Sequence, residues 1–406
     1  MENKYKRIGD ICTIQRGSSP RPKGDPRFFG GNIPRLTIRD VTRDGKYVTP
    51  SLDFLTEEGA RFGRFTQKGN LTMSISGTVG SLSFLAVDSS VHDGFVIFTD
   101  LSSEYDKDFL YHYLRNYDYN SLILDGGIFK NLTTDIIKDI PIPIISIKEQ
   151  IKIKNKLEKK ENNIKKIEEL LAKIEIRNKY YADKLLSGKL TVENNFLTEN
   201  TDIDYNKSIK ITEHIDIING YPFKANEMSV SGDYAVIKMS NFKEGKVSIL
   251  RNTLYTDNYI EKVRLFKNDL LIGLSGSVGE HAIFNLNETC LLNQRCIIIR
   301  NKDEIGDYVK TYIINKELEK LKNSGEGGVI KNVSSNYFQD MEIYLPKNYK
   351  EIMLFISKMN LEKYNIEKLL KLEKKRFEWL SDKLLSGEYI IEDWSKSVFL
   401  NTIDFI

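Results

Sequence analysis

Along two stretches of this chain, apolar residues recur at alternating steps of four and three. The first runs Ile153, Leu157, Lys160, Ile164, Ile167, Leu171, Ile174, Asn178, Tyr181, Leu185. Adding 199 to each position gives Ile352, Ile356, Met359, Lys363, Ile366, Leu370, Glu373, Phe377, Leu380, Leu384. Eight of the ten rungs are apolar in each stretch, a sustained coiled-coil seam. The spacing therefore predicts two helices of about forty residues, roughly 60 Å long at 1.5 Å per residue. Polar rungs fall at different places in the two seams, so each seam is expected to face the other helix. Those polar side chains either set the register or snorkel at the seam edge. Ser146 with Glu149 and Asn348 with Glu351 have the spacing of capping boxes, and Gly188 and Gly387 fit C-terminal stops.

Elsewhere the pattern shortens to strands. Runs such as Leu71–Ile75 and Phe95–Phe98, broken by glycines, predict a compact sheet with turns. Short helices are expected at Tyr105–Tyr117 and Asp307–Leu321, with Asp106 and Asp307 as caps.

The chain also repeats itself. Ser76-Gly77-Thr78-Val79-Gly80 returns as Ser275-Gly276-Ser277-Val278-Gly279, and Gly126-Gly127-Ile128-Phe129-Lys130-Asn131 returns as Gly327-Gly328-Val329-Ile330-Lys331-Asn332. Asp183-Lys184-Leu185-Leu186-Ser187-Gly188 returns as Asp382-Lys383-Leu384-Leu385-Ser386-Gly387. An offset of 199 to 201 is too long for a solenoid, whose repeats run about 20–50 residues. It indicates a duplicated unit. The expected fold is α+β, with two similar β-rich bodies joined by two long helices that form an antiparallel coiled coil, a pseudo-two-fold internal repeat. The expected divisions are a first body at 1–145, its helix at 146–188, a linker at 189–210, a second body at 211–345, its helix at 346–387 and a tail at 388–406.

Bulk composition narrows the class. At 406 residues there is room for two or three ordinary cores. The longest apolar runs are a handful of residues, so no membrane span is expected. The charged start, Met1 to Arg7, lacks the apolar core of a signal peptide. Cys12, Cys290 and Cys296 have no metal-ligand spacing and fit a reducing cytoplasm. A net charge of +3 identifies no partner by itself. Its distribution says more, because Arg16, Arg21, Lys23, Arg27, Arg35, Arg39 and Arg43 face only Asp25 and Asp40 in the segment from Gln15 to Arg43. Such a basic, glycine-rich stretch suits phosphate contact or a solvated loop.

Signatures of catalysis are missing. The chain has no Pro-Pro, hence no amino-methyltransferase motif, and no phosphate loop ending in Gly-Lys-Ser/Thr. Its four histidines are scattered, so no metal is expected. Asp40 gives way to Asn241 in the second copy, which would remove a general base.

The repeated motifs are better suited to binding. Hydroxyls at Ser76, Thr78, Ser275 and Ser277 could reach phosphates, although a tight hairpin needed for folding explains the same glycines. Lys130-Asn131 and Lys331-Asn332 offer a phosphate-seeking lysine and an adenine-pairing or turn-capping asparagine. Leu36-Thr37-Ile38-Arg39-Asp40 aligns with Ile237-Lys238-Met239-Ser240-Asn241, one scaffold with different polar identities.

These features resemble the specificity subunit of type I restriction-modification systems, over essentially the whole chain. The residues carrying the likeness are Asn219-Gly220-Tyr221-Pro222-Phe223-Lys224, Leu270 to Gly279, Asn293-Gln294-Arg295-Cys296, Ile147-Lys148-Glu149-Gln150 and the paired Lys-Leu-Leu-Ser-Gly ends. The first copy departs at His92-Asp93-Gly94-Phe95, which makes packing the safer role for Gln294 and Arg295. The resemblance implies two target-recognition domains, each reading half of a split, asymmetric site on double-stranded DNA. It implies two methyltransferase subunits docked on the helical arms, and restriction subunits in the same assembly. S-adenosylmethionine, ATP and Mg2+ would then belong to those partners, with no cofactor on this chain. Expected DNA contacts are Arg16, Ser18, Ser19, Arg21, Lys23, Arg35, Thr37, Arg39, Arg43, Ser76, Thr78, Lys130 and Asn131 in the first body. In the second they are Tyr221, Phe223, Lys224, Lys238, Ser240, Asn241, Lys243, Ser275, Ser277, Lys331 and Asn332. Two other classes compete: a standalone nuclease with a duplicated, unrecognised site, and a coiled-coil interaction protein with no DNA role.

Overall fold

One strand order occurs twice in the computed structural model, which describes residues 4–122, 132–194, 196–199, 205–276, 278–323 and 333–387. The first body's main sheet runs Thr13–Arg16, Phe95–Thr99, Leu71–Ser74, Leu82–Leu85, Tyr47–Val48. The second runs Ile215–Asn219, Cys296–Asn301, Leu270–Gly273, His281–Ile283, Lys246–Val247, and Phe242–Lys243 adds a sixth strand. A smaller sheet recurs likewise, with Phe29–Leu36 beside Ser89–Val91 in one body and Tyr234–Ile237 beside Cys290–Leu292 in the other. Where Arg64 pairs with Val91 in a strand, Arg264 and Leu291 keep a single bridge.

The central strands are buried on both faces, so they do not alternate with polar positions. Val96 and Phe98 join a core with the helix Lys107–Asn116, while Phe95 and Ile97 join a second core beneath the small sheet. Ile297 and Ile299 divide from Cys296 and Ile298 in the same way. Each body is closed by its first strand: Tyr5–Arg7 pairs with Pro141–Pro143, and Tyr205–Lys210 with Glu342–Pro346. The expected linker therefore contains a strand of the second body, preceded by a hairpin of Leu190–Glu193 with Phe196–Glu199.

Two long helices, Ile147–Leu186 and Tyr349–Leu385, follow the bodies. The Ser146 hydroxyl accepts the Glu149 N–H at 3.3 Å, as its spacing predicts. Asn348 departs from that pattern. Its amide donates to Thr191 Oγ1 at 2.7 Å and to the Val192 carbonyl at 3.0 Å, because the hairpin lies against this helix start. Asp106 caps the first short helix, accepting from the Asp108 and Phe109 N–H groups at 3.0 and 2.9 Å. In the second body that role moves to Asp303, which accepts from Ile305 and Gly306, while Asp307 takes the Asn301 amide instead.

By packing, the chain forms two units, one of Met1–Glu168 with Lys368–Ile406 and one of Glu169–Glu367. Each unit thus holds one body, the start of the helix that follows it and the end of the other long helix. In the first unit Leu380, Leu384 and Leu385 pack with Ile153 and Leu157 in the body's core. In the second, Leu185 and Leu186 pack with Ile352, Ile356 and Met359. The helix segments run antiparallel: Glu175 meets Lys363 at 2.8 Å, Arg177 meets Glu362 at 2.5 Å, and Asn178 donates to the Met359 carbonyl at 2.9 Å.

Candidate nucleic-acid interface

Both bodies bring the same four loops together. A glycine ends the first main-sheet strand, and close backbone approach requires it. A Cβ on Gly17 would lie 2.1 Å from the His92 carbonyl oxygen, and one on Gly220 would lie 2.0 Å from that of Asn293. Gly17 N–H donates to the Phe95 carbonyl and Gly220 N–H to that of Cys296, each within 3.0 Å. Next come the repeated Ser-Gly-x-Val-Gly turns, whose glycines Gly77, Gly80, Gly276 and Gly279 all have positive φ. Ile75 N–H donates to Gly94, and Leu274 N–H to Arg295, at 2.8 Å. Finally Leu132 N–H reaches the Ile75 carbonyl at 2.9 Å and Val333 N–H reaches that of Leu274 at 2.8 Å. The residue after each Gly-Gly-x-x-Lys-Asn motif is thus tied to the start of each turn, which joins motifs about fifty residues apart in sequence. Lys130, Asn131, Ser277, Lys331 and Asn332 themselves lie outside the described residues.

On this shared frame the side chains differ. In the first body one residue collects several expected contacts. Asp93 accepts the Ser19 hydroxyl at 2.8 Å and the Arg21 guanidinium at 3.0 Å, and its backbone carbonyl accepts Arg16 Nε at 2.9 Å. Ser19 in turn accepts an Arg35 N–H at 2.8 Å, and Arg35 is ion-paired with Asp53. Burial opposes the charge on Asp93, but the Ser19 hydrogen bond, a backbone N–H and Arg21 outweigh it and hold the carboxyl below its usual range. His92 is neutral, because burial and then the Arg35 charge push it down to about 4. Its Nδ1 accepts the Gly94 N–H at 2.9 Å, so its 3.8 Å approach to Asp93 is no ion pair near neutral pH. Ser76 lies against Gly94, and Thr78 and Lys23 are exposed.

The second body places Tyr221 where Ser18 stands, with Tyr221 N–H on Leu292 as Ser18 N–H is on Val91. Tyr221 packs edge-on against Phe223 at 4.9 Å between ring centroids. Lys224, Ser240 and Lys243 are exposed, and Ser275 and Lys238 are half-buried.

Several of the expected contacts have structural partners within the body. Phe223 is only 4% exposed and belongs to the core, because its ring is the apolar partner that Tyr221 packs on. Thr37 is the N-cap of the helix Ile38–Asp44, sharing reciprocal hydrogen bonds with Asp40. Asn241 is the equivalent of Asp40 and equally buried. It accepts the Lys238 N–H and donates to Ser248 and Thr253, whereas Asp40 accepts from Ser51. Arg43 is engaged by Asp44, Ser51 and the Thr49 carbonyl, and Arg35 is buried with Asp53. Ser18 donates to the Phe62 carbonyl at 2.8 Å. Arg39 is exposed and makes no ion pair among the described residues. Asp93 went unread as a site residue; the one signal was its replacement of Gln294 in the aligned copy.

The model of the type I restriction modification DNA specificity domain matches twice, over residues 1–176 and 204–374. The chain belongs to that family. A Haemophilus influenzae chain named as a type I restriction enzyme specificity subunit is 24% identical, covering 95% of this chain and 96% of its own length. A chain solved in work on complex assembly and conformational transition of the type I R-M system superposes with a TM-score of 0.64 at 15% identity, covering 94% and 97% of the two chains. The type I restriction-modification system S subunit from M. genitalium gives a TM-score of 0.50 at 13% identity, over 94% and 95% of the two chains. These likenesses carry the fold of specificity subunits across nearly the full length. Among the described residues no helix is long and apolar enough to cross a membrane. All three cysteines are buried free thiols, and burial pushes each up to about 12.

Proposed function

We propose that this specificity subunit reads a bipartite, asymmetric DNA site, one half with each body, in the cytoplasm. It performs no chemistry itself. Two methyltransferase subunits dock with it for adenine methylation, restriction subunits complete the assembly, and S-adenosylmethionine, ATP and Mg2+ are bound by those partners. The observation that carries this reading is a loop frame held by the same backbone contacts in both bodies but dressed with different side chains. Arg16, Ser19, Arg21 and Asp93 stand in one, and Asn219, Pro222, Lys224 and Gln294 in the other. Backbone contacts of this kind fix a reading edge, and sequence is read by the side chains upon it.

Mapping methylated adenines in the source genome, with and without this gene, tests the proposal. A single split motif, with two unlike halves, should vanish when the gene is removed. Purified chain should be inactive alone and should confer site-specific methylation on a methyltransferase partner. Cleavage or methylation by the chain alone would instead favour a standalone enzyme.

A further inference from the structure

We infer that Asp93 is a positioning residue for recognition of one half-site, that of the first body, a step that rests on the DNA-reading function proposed above. A carboxylate set among arginines would ordinarily weaken a phosphate-binding loop by repulsion. Here each of its polar groups orients a donor: one oxygen takes Ser19, the other takes Arg21, and the carbonyl takes Arg16. Ser19 is fixed from its far side by Arg35, whose own charge is held by Asp53. The result is a relay that runs from buried to exposed groups and ends on Arg21, whose side chain is 69% exposed. Only one N–H group of Arg21 and one of Arg16 are used among the described residues. The remaining donors of both planar forks take no other partner among the described residues and suit base edges or phosphate oxygens.

The second body lacks this device. Gln294 occupies the matching place, is exposed, and makes no side-chain hydrogen bond among the described residues. The aromatic pair Tyr221–Phe223 fills the neighbouring loop. Asp93 therefore acts on one half-site only, and the other half-site serves as an internal control within the same molecule.

Asp93→Asn separates positioning from bulk charge, because the two predict opposite signs. Removing a negative charge should strengthen salt-sensitive, non-specific binding. Losing the carboxylate's hold on Arg21 and Ser19 should weaken specific recognition, while the Arg16 bond to the backbone carbonyl persists. The experiment uses the full chain assembled with its methyltransferase, and compares wild type, Asp93→Asn and Ser19→Ala. The readouts are methylation-site mapping and competition binding to duplexes altered in one half-site at a time.

In Asp93→Asn the ratio of specific to non-specific affinity should fall tenfold or more. Base preference should relax at the first body's half-site and hold at the other. Ser19→Ala, which leaves the charge in place, should relax the same half-site. Equal loss at both half-sites, or tighter binding with unchanged preference in both variants, would overturn the inference. If wild-type assemblies showed no site-specific methylation at all, the DNA-reading function would fail, a different result from the failure of Asp93. A misfolded Asp93→Asn would show in its thermal transition, and Ser19→Ala then decides.

Discussion

His112 stands where the second body has Ile313, and it behaves as an apolar residue. It is fully buried, and neither ring nitrogen has a partner among the described residues. Burial first, and then the Lys46 and Arg115 charges, push it down to about 4. Its folded pKa thus lies below the unfolded value of about 6.5. Its contribution is fully present above pH 6.5 and is lost as pH falls towards 4, because the unfolded state takes up the proton first. His112→Leu should raise stability by about 1–3 kcal/mol near neutrality, by removing unsatisfied buried nitrogens. It should also flatten part of the acid limb, leaving the similar contribution of His92. Urea midpoints of the full chain at pH 7.5 and 5 check this; an unchanged pH dependence would show that His112 titrates normally. Single-residue roles were the least legible in sequence. Asp40 and Asn241 differ in their side-chain chemistry, yet both are buried and share one capping task, each accepting the N–H of the residue three before it.

At the scale of the helices, each polar seam position finds a partner on the other helix. Lys160 Nζ lies 3.1 Å from Glu373 Oε2, and Asn178 bonds the Met359 carbonyl. Burial opposes the charge of Glu373, but hydrogen bonds from Arg376 and Lys160 lower its pKa below the usual range. The Lys160–Glu373 pair is a register device, since a slip of one turn would leave the mostly buried Glu373 facing an apolar rung. Lys160→Glu should cost on the order of 1–3 kcal/mol, and Lys160→Glu with Glu373→Lys should recover most of it. A double-mutant cycle on thermal or urea unfolding measures the coupling. A cycle that closes with no coupling energy would reduce the pair to two snorkelling side chains. Heptad spacing showed these helices directly in the sequence, whereas the partner of each polar rung depends on how far one helix is displaced along the other.

At the scale of the molecule, the proposed division into two readers and a spacer makes a geometric prediction. Removing one heptad from each long helix at matched rungs shortens them by about 10 Å. The unspecified gap between half-sites should then shrink by about three base pairs, at 3.4 Å each, with the bases read unchanged. Methylation-site mapping of the shortened protein decides this. A change in half-site sequence at constant gap would refute the spacer role.

Sequence alone determined the duplication, the α+β class, the two long helices and the turns that need glycine. These follow from periodicity and backbone sterics, which act between residues near in the chain or repeated along it. Tertiary structure alone decided which polar residues remain available for binding. Burial and pairing are set by residues distant in sequence, as with Phe223 in a core and Arg35 against Asp53. For the same reason Asp93 could not be singled out beforehand: its importance lies in Arg16, Ser19 and Arg21, more than seventy residues away, being folded onto it.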